Sequence, residues 1–404
     1  MIQKTGKKIV TTSLQLLLNF SLIPVVIILG LLRYVFRIQF FRVNSSRIGH
    51  LAMNHDLFLR RKKLGLIKDN FKYIGIAATD ISNKRLLQIV QRYLTIVQLP
   101  QPILLRSFSK FLATDTLLSR TGLFFQLPLN NNEVYEYTAT GPVISFTKEE
   151  EREGQELLQR MGVNSWFVCF HSRDQRHIGK FLRDQDYRHT FRNGNILHYL
   201  PAADYLTARG GYALRLGATV ENPLPAHKNA RLIDYATRYR TEFGDIYLPA
   251  KCKFFLGDST GLAGISYIFN VPVALANLIP LKYQPYSTKQ DLFIPKKIWS
   301  VKEQRFLTFP EIINSPVFQY YHQRDYDRDQ LIPAENTAEE ILDLATEMNE
   351  RLDGTWKNTP EDEKLQQQFK SLFPSGSFCD GFPARMGTKF LRENRYLLNE
   401  KAEK

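Results

Sequence analysis

Cysteine is scarce in this 404-residue chain, and its three copies, Cys169, Cys252 and Cys379, lie far apart. No CxxC pair occurs, which excludes a disulfide scaffold and a cysteine-ligated zinc site. Two of the three sit in or beside the apolar runs WFVCF and AKCKFF, as buried free thiols of a reducing compartment do. There is no HExxH and no carboxylate cluster. The acidic triplets in DQD (184–186) and DYDRD (325–329) are of a kind that charged loops produce by chance. No metal and no cofactor is expected. GxGxxG and GxxxxGK[ST] are missing too, which excludes the dinucleotide fingerprint and the Walker loop. Internal repeats and low-complexity tracts are absent.

Positive charge is abundant. A net charge of +14 points to an anionic partner: nucleic acid, an anionic membrane surface or a phosphorylated substrate. The basic residues are spread along the chain without a long Lys/Arg tract or a nucleic-acid-binding signature, so nucleic acid is not expected. The length exceeds what one core usually holds, and two domains are expected.

The segment LQLLLNFSLIPVVIILGLL, Leu14 to Leu32, carries no charge. It approaches the ~20 residues that cross a bilayer. No small-residue cleavage site follows it. Lys4, Lys7 and Lys8 precede it and Arg33, Arg37 and Arg42 follow it, so loop charge does not orient it. Residues 1–37 are expected to form a membrane anchor that meets lipid through residues 14–36. It is either one spanning helix or a helix-break-helix near Pro24, with a buried core helix as the alternative.

Beyond it, apolar runs alternate with helical patterns, as in a parallel sheet with helices on its faces. RIQFFRV (37–43) and FKYIGIA (71–77) read as strands, SSRIGH as a turn, and LAMNHDLFLRRKK and ISNKRLLQIVQRYLTIV as helices. The polar stretch 129–162 reads as a junction. A second series follows: NSWFVCF as a strand buried on both faces, NILHYLPAADYLTARGG as a helix ending on glycines, and YALRLGA as a strand. ARLIDYATRYRT reads as a helix, and DIYLPA, CKFFLG and VPVALAN as strands. Thr337 and Glu340 form a capping-box pattern before a helix.

Four places carry chemistry. In FFLGDSTGLAGISYIFNVPVALAN (254–277), Gly257 ends a strand and Thr260 can cap the next helix. Gly261 leaves the first turn of that helix bare. A helix N-terminus offers free N–H groups and a positive dipole end to phosphate. Ser259 and Thr260 add hydroxyls, while Asp258 suits accepting from a hydroxyl or orienting the loop. A capped turn with packing glycines explains the motif equally well. Second, His171, Arg173, Arg192 and Asn193 belong to a long basic stretch leaving the WFVCF strand. Ligands bind at such strand ends in open α/β sheets, and guanidinium suits a diphosphate. Third, Arg215 lies in an apolar strand, either paired with an acid such as Asp234 or Asp245 or aimed at ligand. Fourth, SSRIGHLAMNHD is a corner bearing Arg47, Gly49, His50, His55 and Asp56. His50 is the candidate general base because histidine titrates near neutrality, with a surface or helix-capping histidine as the alternative.

In order, RIGHL, FVCFHSRD, DYRHTFRNGNILHYLPAADYLTARGGYALRLGA, LIDYATRYRTEFGDIYLPAKCKFFLGDSTGLAG, FNVPVALAN and ENTAEEILDLATEMNERL resemble a family of bacterial glycosyltransferases from surface-polysaccharide gene clusters. More distantly the chain is similar to fucosyltransferase-like enzymes of the GT-B type. The resemblance implies an α/β protein with two Rossmann-like domains, 38–150 on the acceptor side and 163–300 for the nucleotide sugar. A helical region, 301–404, would brace the first domain. His171, Arg173 and Asp174 would fall at a donor-facing loop, and Asp258, Ser259, Thr260 and Gly261 at a phosphate-facing turn. The expected activity moves a sugar from a nucleotide-sugar donor to a glycan or lipid-linked acceptor, on the cytoplasmic side of a bacterial inner membrane. The alternatives are a pyruvyl-type transferase and a non-catalytic nucleotide- or glycan-binding membrane protein.

Overall fold

A computed structural model describes residues 20–67, 70–98, 122–127, 134–174, 187–283, 288–377 and 379–400, except 22, 26 and 34. The chain divides into two compact units, residues 1–130 and 131–404.

In the first unit, the described residues between 20 and 36 are helical. Phe20, Leu31, Val35 and Phe36 on this helix are 62–74% exposed. No helix among the described residues is long and apolar enough to cross a membrane. The expected anchor begins at Leu14, and residues 1–19 lie outside the described residues. Next come β1 (Ile38–Val43), α1 (Ile48–Lys63), β2 (Lys72–Ala77), α2 (Lys84–Gln91) and β3 (Thr95–Gln98). The three strands pair in parallel in the order β1-β2-β3. Phe41, Leu51, Phe58 and Ile89 are fully buried between sheet and helices. Two readings shift here. The turn at SSRIGH is shorter than expected, because α1 already begins at Ile48. The helix read through Val97 ends at Gln91, where the β-branched Thr95-Ile96-Val97 joins the sheet instead.

In the second unit a short helix at Val134–Ala139 precedes α3 (Lys148–Arg160), which Thr147 and Glu150 cap reciprocally. β4 (Phe167–His171), α4 (Leu200–Ala208), β5 (Tyr212–Arg215), β6 (Leu232–Ile233), α5 (Gly244–Lys251), β7 (Phe255–Gly257), α6 (Gly261–Ile268), β8 (Val273–Leu278) and β9 (Leu292–Pro295) follow. A small antiparallel sheet holds β10 (Lys297–Ser300), β11 (Arg305–Phe306) and β12 (Leu331–Ala334). The chain closes with α7 (Ala338–Leu352), α8 (Pro360–Ser371), β13 (Arg385–Met386) and α9 (Thr388–Glu393). The main sheet is parallel throughout, in the order β13-β9-β8-β7-β4-β5-β6. Helix α7 lies against α4, and α5 lies against α6 and α3, so both faces of the sheet are covered.

The Thr337–Glu340 capping box is present at α7. Pro201 stands in the first turn of α4, a late helix start rather than a kink. DIYLPA is not a strand but the body of α5, and LIDYATR is not a helix but β6 and a short turn of helix. Residues 301–404 are not wholly helical, and they belong to the second unit, where β13 adds an edge strand.

Candidate functional site

From β4 the chain steps to β5 and β6 on one side, then returns to lay β7 on the other side of β4. The sheet's strand order therefore reverses between β4 and β7. In open parallel sheets the crevice beyond the carboxyl ends of two such strands is where ligands bind. Two segments meet there: His171-Ser172-Arg173 after β4, and Gly257-Asp258-Ser259-Thr260 after β7.

Gly257 permits their approach, since a Cβ there would stand 2.4 Å from the His171 carbonyl oxygen. Asp258 follows, 1% exposed. Its Oδ2 accepts from Ser172 Oγ at 3.0 Å and from the Arg173 N–H at 2.8 Å. Its Oδ1 accepts from Tyr199 Oη at 2.5 Å and from Asn277 Nδ2 at 2.9 Å. Four donors thus surround one buried carboxylate, the condition under which a buried charge is tolerated. Burial and the neighbouring Asp258 charge push the Tyr199 phenol well above its ordinary pKa, so it stays a donor.

Asn277 sits in β8 with φ at +52°, a left-handed conformation that asparagine adopts more readily than most residues. It exchanges hydrogen bonds with Asn336, at 2.6 Å from its own N–H and 2.7 Å to its Oδ1. These contacts carry the network from β7 to the start of α7.

Thr260 is the extended N-cap residue of α6, with no cap bond from its side chain. Its buried Oγ1 has no hydrogen-bond partner among the described residues. No acidic residue occupies the first turn of α6, and Gly261 is its first residue. The free N–H groups of this turn have no carboxylate competing for them. The Arg192 guanidinium donates to the Ser259 carbonyl. Lys296, just past β9, is 5% exposed and donates to the Asn193 carbonyl at 2.6 Å. Burial lowers its pKa, opposed by the charges of Asp258 and Glu335.

Of the sequence candidates, the fold brings Arg173, Arg192, Asn193, Asp258, Ser259, Thr260 and Gly261 to this crevice. His171 Nδ1 faces the Leu216 carbonyl at 3.0 Å, which fixes the proton on Nδ1 because a carbonyl only accepts. Asp174 Oδ2 accepts from the Glu221 N–H at 2.8 Å, tying down the β5 side of the crevice. Arg215 takes the structural course. It is 2% exposed and pairs with Asp234 at 3.2 Å. Asp245 pairs with Arg240 instead. In the first unit, Arg47 is the N-cap residue of α1, and Gly49 and a half-buried His50 stand in its first turn. His55 and Asp56 are interior: His55 Nδ1 donates to the Leu51 carbonyl, and Asp56 pairs with Arg60 at 2.6 Å.

Sequence reasoning missed Tyr199, Asn277, Lys296 and Asn336. An asparagine near the end of an apolar strand and the first lysine of Pro295-Lys296-Lys297 were the available signals. Among the described residues no three His, Cys, Asp or Glu side chains are grouped to hold a metal. Asp325 and Asp329 of DYDRD both pair with Arg328, and DQD lies outside the described residues. The three cysteines are buried and free.

No protein-family profile and no curated protein matches the sequence. Among solved structures, the chain is similar to the glycosyl transferase family 9 protein of Veillonella parvula, with 11% identity, a TM-score of 0.42, and coverage of 64% of this chain and 86% of that one. It is also similar to the E. coli ADP-heptose LPS heptosyltransferase II, at 12% identity and a TM-score of 0.39 over 60% of this chain and 86% of that one. The iron-containing dodecameric glycosyltransferase TibC of enterotoxigenic E. coli aligns at 10% identity and a TM-score of 0.35, over 60% and 59%.

Proposed function

We propose that this chain is a glycosyltransferase of the GT-B kind, which moves a sugar from a nucleotide diphosphate donor to a glycan or lipid-linked acceptor. The observation that carries the reading is the switch point between β4 and β7, where the uncapped N-terminus of α6 opens beside basic side chains. Backbone N–H groups at Gly261 and beyond, the Thr260 hydroxyl and the guanidinium of Arg173 would bind the diphosphate. Fixed donors and cations there would stabilise the charge that develops on the leaving group. His50 of the first unit is the proposed base toward the acceptor hydroxyl. The exposed apolar side chains of Phe20, Leu31, Val35 and Phe36, with the charge-free run Leu14 to Leu32, support attachment to a membrane, and the cytoplasmic face of a bacterial inner membrane is the proposed location.

The test of the donor is a thermal-shift panel of nucleoside diphosphates, followed by turnover with labelled sugar nucleotides. Stabilisation by at least one diphosphate, and transfer or slow hydrolysis of its sugar, are expected. A shift with phosphoenolpyruvate and none with any nucleotide would move the assignment to the pyruvyl-type reaction. Binding without turnover would leave a nucleotide-binding protein. Membrane attachment is tested by liposome flotation: the full chain should float with anionic vesicles, and a chain lacking residues 1–36 should not.

A further inference from the structure

Lys296 belongs to no motif, yet it is a charged side chain buried at the carboxyl edge of β9. Its ammonium donates to the Asn193 carbonyl at 2.6 Å. The chain on either side of that carbonyl is pinned as well. Asn193 N–H donates to Thr190 O at 2.9 Å, Gly194 N–H to Arg173 O at 3.0 Å, and Asn195 N–H to Glu335 Oε2 at 2.9 Å. Gly194 passes so close to the Asp258 network that a Cβ would stand 2.7 Å from Asp258 Oδ2 and 2.8 Å from Ser172 Oγ. Asn193 is therefore set in place beside the β4–β7 crevice by its backbone alone.

Its side chain does something different. Both Oδ1 and Nδ2 are buried, and neither has a hydrogen-bond partner among the described residues. Buried polar atoms without partners destabilise a fold and are few in native proteins. An amide with both ends open, on a backbone fixed from three directions, points to a partner that arrives with a ligand. The chemistry of that partner follows from the amide. A phosphate offers only acceptors, so it would satisfy Nδ2 and leave Oδ1 facing an anion. A hydroxyl both donates and accepts, so neighbouring hydroxyls satisfy both ends.

Resting on the nucleotide-sugar reading above, we propose that Asn193 recognises the hydroxyl-bearing sugar of the donor rather than its diphosphate, and that Lys296 is the positioning residue that holds it. Lys296 acts through the Asn193 carbonyl and does not touch the sugar.

The experiment compares affinities of UDP, GDP and ADP with those of UDP-N-acetylglucosamine, UDP-galactose, GDP-mannose and ADP-glucose. Wild-type, N193A, K296M and the double variant are titrated calorimetrically. For the nucleotide that binds, at least one sugar should add affinity in the wild type. N193A should lose roughly tenfold for that sugar nucleotide, while its affinity for the diphosphate stays within about twofold. K296M should show the same selective loss, and the double variant should lose no more than either single one. A merely structural lysine would instead lower both affinities together.

Equal loss of diphosphate and sugar-nucleotide affinity in N193A would assign the amide to the nucleoside or phosphate and overturn the proposal. So would a wild type in which no sugar adds affinity over its diphosphate. A wild type that binds none of the seven compounds sinks the nucleotide-sugar reading itself, and this proposal with it. N193A removes little volume, so the outcome does not depend on whether K296M folds.

Discussion

Tyr199 Oη donates a hydrogen bond to Asp258 Oδ1 at 2.5 Å, joining two residues 59 positions apart that are both shut away from solvent. The bond anchors the turn before α4 to the end of β7. Tyr199→Phe keeps the ring and removes one of four donors to a buried carboxylate. A loss of about 1.5–3 kcal/mol in stability is expected, the range for a bond to a charged partner. Chemical denaturation of the second unit measures it. A change below the error of the titration would mean that Asp258 does not depend on this donor.

Gly261 separates a phosphate site from a packing turn. It starts α6 and is not among the glycines with positive φ, so a side chain is compatible with its backbone. On helix propensity alone Gly261→Val should shift stability by only a few tenths of a kcal/mol (about 0.3), because valine's β-branch costs no more in a helix than glycine does. It should also abolish nucleoside diphosphate binding by blocking approach to the N–H groups. Melting temperature and diphosphate affinity on one sample decide the matter. An unfolded variant, or a folded one that still binds, would make Gly261 a packing residue.

The buried Arg215–Asp234 pair predicts a loss of a different kind. Asp234 Oδ2 also accepts from the Leu224 N–H at 3.0 Å and Thr237 Oγ1 at 2.7 Å, so it holds a loop as well as a charge. Arg215→Met leaves that carboxylate without its cation in the interior. Breaking one side of a buried pair costs about 3–5 kcal/mol. Diphosphate affinity measured on the folded fraction should be unchanged. A stable variant with weakened binding would return Arg215 to the ligand.

His55 sets a pH dependence in the first unit. Burial lowers its pKa from 6.5 to about 4, partly offset by its bond to the Leu51 carbonyl. The unfolded chain takes up a proton on this imidazole below pH 6.5 and the folded chain does not, so stability falls as pH drops from 6.5 toward 4. The full span is on the order of 3 kcal/mol. Hydrogen exchange of the β1–β3 amides should show this decline in the wild type and a flatter profile in His55→Met. Parallel profiles would mean that other groups govern it.

The legible parts of this protein were local. WFVCF could be read as a doubly buried strand because no polar residue interrupts it, and GDSTG as a strand-to-helix turn because glycine and hydroxyls break both periods. DIYLPA misled because four apolar residues in six fit a buried strand as well as a helix, and Pro249 spoke against α5 rather than for it. TIV reads as a continuation of the preceding helix for the same want of length. The network around Asp258 was out of reach. Tyr199 and Asn277 meet it from 59 and 19 residues away, and Lys296 reaches Asn193 across 103. No periodicity encodes such distances, because they are set by the order of strands in the sheet. The sequence leaves both outcomes open for Arg215, and its burial against Asp234 chooses between them.

Asp258 is bound to the fold through all four of its acceptor contacts, whereas Asn193 and Thr260 hold buried polar atoms with no partner among the described residues. Stability and specificity are therefore carried by different side chains around one crevice. A library aimed at new donors can vary Asn193 and Thr260 while holding Asp258, Tyr199 and Asn277 constant, and most of its members should remain folded. Randomising Asp258 would spend the library on proteins that never assemble the crevice.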